Sequence, residues 1–180
     1  MRQPSDDAVF ILTLGFDAGG FQRFDGMRRA HFPAKRNLIP AHLTLFHKLP
    51  GERLEAFASD LEEVTRDTPP FEARITGLRF LGYGSAYVVE APRLIELRAE
   101  LARRWIAELG AQDTQRFTPH VTIQNKVAAP VARSLFERLN DEFEPFTATA
   151  QSLLLWRYLD GPWAQERRYD FRSEEQATPF

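Results

Sequence analysis

The chain has 180 residues, 43% of them hydrophobic, 12% aromatic and 27% charged, a balance that excludes a disordered or fibrous protein and allows one domain with a substantial core. It has no cysteine, which removes disulfides, thiolate metal sites and a cysteine nucleophile together. Its formal net charge of −2 argues against a long grip on duplex DNA, whereas a small anionic substrate needs only a local positive field.

In chain order, residues 8–16 form a β-branched and aromatic run that reads as a buried strand. Phe21, Phe24 and Met27 then predict a short helix to about His31, which continues the same stripe and reads as a packed or capping residue. Pro33 and Pro40 bracket a basic loop, and a strand follows over 41–46, with His47 and Lys48 at its exit. Leu54, Phe57, Ala58, Leu61 and Val64 predict a helix over 52–65. Residues 71–81 and 86–90 read as a hairpin about the turn Gly82-Tyr83-Gly84-Ser85, with Gly77 placed for a bulge. A helix is predicted over 93–109, a strand over 120–125, a helix carrying Val131, Leu135 and Leu139, and a long strand over 146–158. A final antiparallel strand is predicted over 166–171, followed by a loose polar tail. The basic pairs Arg28-Arg29, Lys35-Arg36, Arg103-Arg104 and Arg167-Arg168 are scattered and read as solvated faces.

Within this pattern one motif occurs twice: His42-Leu43-Thr44-Leu45 and His120-Val121-Thr122-Ile123. Alternation along a strand puts each histidine and its threonine on one face and the apolar pair on the other. Each motif takes the same slot in a β-α-β-α-β series, which predicts lobe-forming repeats over about 8–81 and 86–171 within a single domain 1–180, related by a pseudo-twofold axis. Such an axis sets two imidazoles and two hydroxyls around one small anion, the equipment of metal-free acid/base chemistry at phosphorus. Two other readings stay open. The protein could bind a nucleotide or RNA end without turning it over. His42, His47 and His120, with His31, could hold a metal, although no H-E-x-x-H is present and the spacing of His42 and His47 along an extended segment predicts opposite faces.

The paired motifs resemble those of the two-histidine phosphoesterases, most closely the bacterial 2′-5′ RNA ligase (LigT-like) family, and the resemblance extends over nearly the whole chain. It implies a bilobal α+β fold with antiparallel-rich sheets, flanking helices and a central cleft. It also implies metal-independent cleavage or formation of bonds at 2′,3′-cyclic phosphates or 2′-5′ linkages of RNA, with no cofactor. On that resemblance His42 and His120 are the acid/base pair, and Thr44 and Thr122 the phosphate-binding hydroxyls. The family often carries a basic residue soon after its second motif, where this chain has Gln124-Asn125-Lys126, so Lys126 is a candidate phosphate contact. Phe46, Trp156 and Tyr158 are candidates for stacking on a base, core being the stronger reading for Trp156, and Arg157 is a candidate for a phosphate. The expected partner is a small nucleotide or RNA end, bound by a monomer. The polar start of the chain, and the absence from the sequence of an apolar run of ~18 residues, predict a cytoplasmic address and no membrane partner.

Overall fold

The computed structural model describes residues 7–172; the polar start and the tail expected to be loose lie outside the described residues. Strand β1 (Val9–Phe16) places Phe10, Leu12 and Leu14 in the core and Thr13 and Gly15 on the opposite face. Helix α1 (Ala18–His31) begins at Asp17, whose carboxylate accepts the N–H of Gly20 at 3.3 Å and of Thr149 at 2.7 Å. One side chain thereby caps the helix and ties its start to the sheet. After β2 (Leu43–Pro50) a 3-10 turn leads into α2 (Leu54–Arg66), whose buried stripe is Leu54, Phe57, Ala58, Leu61 and Val64, as the spacing predicts.

The hairpin of β3 (Phe71–Phe80) and β4 (Ser85–Glu90) carries a register shift between Ile75 and Gly77, the expected bulge. Gly84 in its turn is required sterically, because a Cβ there would lie 1.8 Å from the Gln124 carbonyl oxygen. Helix α3 (Pro92–Arg104) stops short of the predicted Leu109: Trp105 closes it, buried and donating its indole N–H to Asp60 at 2.8 Å. Then come β5 (His120–Gln124), α4 (Ala129–Asp141), β6 (Phe146–Tyr158) and β7 (Trp163–Asp170).

The fold is α+β. Its strands form one sheet in the order β2-β1-β6-β3-β4-β5, with β7 added to β6 and every pairing antiparallel. The pairing departs from a division of the chain at residues 81–86: β1 pairs with β6, and β3 with β4. The cause is the length of β6, whose 13 residues serve both halves of the sheet. Residues 146–150 pair with β3, while the remainder pairs with β1 on one edge and β7 on the other. The two motif strands, β2 and β5, stand at the two ends of this order and nevertheless touch each other. The sheet therefore curls until its ends meet, and α1 packs against β5, β6 and β1 along that seam.

A single apolar cluster runs through both halves and includes Leu43, Leu45, Val121 and Ile123, the apolar residues of both motifs. Each such side chain contributes about 1.5–3 kcal/mol by burial. The motif strands are thus anchored through one face while the other is left to the cleft.

Candidate active site

His42 precedes β2 and His120 opens β5, each with its threonine two residues on and on the same face. Both imidazoles make the same local bond: Nδ1 of His42 lies 2.7 Å from the Pro40 carbonyl oxygen, and Nδ1 of His120 lies 2.9 Å from that of Thr118. A carbonyl only accepts, so Nδ1 carries the proton and donates in both rings. Nε2 is then the nitrogen left to act as base when neutral and as acid when charged. Thr44 faces Thr13 across the β1–β2 ladder, and Thr122 faces the small Ala86, which leaves space above the sheet. Among the described residues neither the Thr44 nor the Thr122 hydroxyl has an intramolecular partner, so both can donate to a ligand.

Helix α1 fastens both motifs at once. Asp25 accepts the Ala41 N–H at 3.0 Å, ahead of His42, and Arg28 donates through Nη1 to the Thr122 carbonyl at 3.0 Å. The same guanidinium donates through Nε to Asn37 Oδ1 at 2.8 Å and lies 4.1 Å over the Phe32 ring. Arg28 is 4% exposed, not the solvated residue its sequence context predicts. Burial lowers its pKa to about 10, against the pull of Asp25, so it remains a fixed positive charge at neutral pH.

Burial favours the neutral form of both imidazoles. Burial lowers the His42 pKa to about 4, opposed by the Pro40 bond and deepened by Arg28, His120 and His47. Burial also lowers His120, opposed by the Thr118 bond, with Arg79 and His47 acting in the same direction as burial. Each imidazole is therefore neutral beside a guanidinium charge, Arg28 for His42 and Arg79 for His120, and a bound anion raises both pKa values.

The exit of β2 holds two departures from the sequence-based expectation, with one cause. The register runs Leu12 to Phe46 but Thr13 to Thr44, so Leu45 is an extra residue in β2. Phe46 therefore joins Leu12 on the core face. It is wholly buried, its ring 5.1 Å from that of Trp105 and beneath the Arg98 guanidinium, and it cannot stack on a base. His47 turns to the face Phe46 vacates, the face of His42, where the spacing alone predicts opposite sides. When protonated it acts on both motif imidazoles. The ring of His47 is held by Asp113, with Nδ1 and Oδ1 2.9 Å apart. Asp113 is 2% exposed and also accepts the backbone N–H groups of His47 and Lys48, while Arg98 binds its carbonyl. Burial alone would raise this carboxyl, but the bonds from His47 and Lys48 outweigh it and hold it below the usual range. Nothing in the local sequence announces Asp113, 66 residues from its partner.

The remaining candidates divide. Arg157 pairs with Phe10 on the core-side face and is bound to Glu166 at 3.0 Å, which takes it out of the cleft. Lys126 is exposed in a left-handed turn after β5 (φ 61°), bound through its backbone N–H to Asn125. Tyr158 is exposed near the β6–β7 turn, opposite Trp163. Trp156 is not core: its indole donates to Thr13 Oγ1 at 2.8 Å, and with Phe21, Leu154, Gln151 and Gln165 it lines a hollow of about 410 Å³ that reaches His42. Trp163, which the sequence does not single out, sits with its ring 4.7 Å from that of His42. His31 ends α1 beside Arg138, in a separate groove. Among the described residues no group of three or more His, Cys, Asp or Glu is disposed to hold a metal ion, and no helix is long and apolar enough to cross a membrane.

A family model described as the 2′-5′ RNA ligase superfamily matches residues 17–162. Among solved structures, TT0787 of Thermus thermophilus superposes with a TM-score of 0.67 at 19% identity, covering 92% of this chain and 99% of its own. The E. coli LigT structure complexed with 3′-AMP gives 0.63 at 17% identity over 92% and 99%. The LigT structure complexed with phosphate gives 0.58 at 17% identity over 94% and 100%. At these identities the likeness is one of fold. No curated protein matches the chain.

Proposed function

Because the chain belongs to the 2′-5′ RNA ligase superfamily, we propose that it is a phosphoesterase that opens 2′,3′-cyclic phosphates at RNA ends or on nucleotides, or acts on 2′-5′ linkages, by two-histidine acid/base catalysis without a metal. The observation that carries this reading is the matched pair of Nδ1 bonds at His42 and His120, which leaves two Nε2 atoms for proton transfer on strands that meet across the seam. In hydrolysis one neutral imidazole takes a proton from the attacking water, and its charged partner protonates the departing ribose oxygen. Thr44 and Thr122 donate to the non-bridging oxygens as negative charge gathers there. The hollow beside Trp156 fits a nucleobase. Binding of 3′-AMP and of phosphate by LigT, a protein of the same fold, agrees with a nucleotide-phosphate ligand.

The test is turnover of the four 2′,3′-cyclic nucleotides and a short 2′-5′-linked RNA, with chelator present, by wild type, His42→Gln and His120→Gln. Wild-type turnover that falls by about 10²–10⁴-fold in each variant, with 3′-AMP still bound, supports the proposal. Binding without turnover by wild type would make the protein a nucleotide or RNA-end binder instead.

A further inference from the structure

A second and larger hollow, about 890 Å³, opens on the same sheet face on the far side of His120, between β3, β4 and the segment leading into β5. Arg74, Arg79, Arg116, Phe117, Glu90 and Glu96 are among its walls. Arg74 and Glu90 are paired across the β3–β4 ladder, as are Arg79 and Ala86, and Val88 pairs with His120. Alternation puts these on the face that carries the second motif, so the hollow and His120 share a surface.

The charge in this hollow is unspent. Arg29, Arg53, Arg93, Arg104, Arg157, Arg167 and Arg168 each bind a carboxylate. Among the described residues Arg74, Arg79 and Arg116 do not; of their guanidinium groups only that of Arg79 has a hydrogen bond, from Nη1 to Thr118 Oγ1 at 3.1 Å. Of the two acidic walls, Glu96 is bound to Arg93 at 3.3 Å. Three guanidinium groups against one carboxylate, Glu90, that makes no ion pair among the described residues leave a local excess of positive charge in a protein whose net charge is negative. Guanidinium forks suit phosphate oxygens in both geometry and charge.

We propose that this hollow binds a second phosphate of the substrate, so that the preferred ligand is an oligoribonucleotide end and not a mononucleotide. The proposal rests on the reading of His42 and His120 given above for the place of the first phosphate. With that group between the imidazoles and its base in the hollow beside Trp156, the chain leaves past His120. Arg79, bound to Thr118, marks the boundary between the two sites, and Arg74 and Arg116 lie beyond it. Phe117, beside them, offers an apolar ring for the next base.

The experiment compares equilibrium binding of 3′-AMP with that of the dinucleotide ApAp, which also ends in a 3′-phosphate, by wild type and by the double variant Arg74→Gln/Arg116→Gln. Both arginines are exposed, so an unchanged Tm is expected. Wild type should bind ApAp about tenfold more tightly than 3′-AMP, with the advantage shrinking between about 50 and 200 mM salt. The double variant should lose that advantage and bind 3′-AMP as wild type does. Equal binding of the two ligands by wild type, an advantage that survives in the variant, or an equal loss of both ligands would overturn the subsite. Since binding needs no turnover, a protein inactive on cyclic nucleotides that still shows the arginine-dependent preference would remove the catalytic reading and leave the subsite standing.

Discussion

His42 and His120 stand at opposite ends of the strand order and yet hold their rings identically, each donating Nδ1–H to the carbonyl two residues upstream. Burial lowers the His42 pKa to about 4, with Arg28 and, when protonated, His120 acting in the same direction. Burial disfavours the charged form of both rings at neutral pH, but the proposed reaction needs one imidazolium. The substrate must therefore bring the proton requirement with it, by supplying the negative charge that raises the imidazole pKa values.

Binding of 3′-AMP should accordingly be coupled to proton uptake. In calorimetric titrations between about pH 5 and 7, in buffers of different ionisation enthalpy, wild type should take up a fraction of a proton approaching one. His42→Gln and His120→Gln should each reduce that fraction. Uptake of zero in wild type across this range would mean that the bound anion does not restore the charge.

Trp163, and not Phe46, should show the binding phenotype that the sequence predicts for Phe46. Phe46→Ala should destabilise the fold by about 3–5 kcal/mol, since it empties a packed core position, and leave KM for a cyclic nucleotide unchanged. Trp163→Ala, at a partly exposed ring against His42, should raise KM by about tenfold with a small change in stability. Chemical denaturation and initial-rate kinetics on the two variants check both statements.

Asp113 should tie stability to acid pH. Its folded pKa lies below that of the unfolded chain, so its contribution is present above about pH 4 and is lost as pH falls through the folded value. Asp113→Asn should cost about 2 kcal/mol at pH 7, and the gap between variant and wild type should close as the carboxyl protonates. Urea midpoints measured from pH 7 downwards report that convergence.

Arg28 should be irreplaceable by lysine. A single ammonium cannot reproduce Nε to Asn37 and Nη1 to Thr122 in one rigid plane. Arg28→Lys and Arg28→Met should both destabilise, the latter by about 3 kcal/mol, because the Thr122 carbonyl loses a buried donor. Thermal melts measure this, and a concurrent fall in kcat would reflect the displaced Thr122 strand.

The local pattern of the chain determined the elements, the positions of both motifs in them and the sidedness of His42, Thr44, His120 and Thr122, because strand alternation and helical spacing are properties of neighbouring residues. Tertiary structure decided what depends on partners far along the chain. The unpaired Leu45 exists only in the β1–β2 register, and it sends Phe46 inward and His47 outward. Strand β6, which the motif repeat alone would assign to the second half, is long enough to pair with both β1 and β3 of the first. The burial of Arg28, the pairing of Asp113 with His47 and the approach of Trp163 to His42 each arise where distant segments meet. Contacts of that kind leave no periodic trace, since nothing in one segment records the residue that will face it.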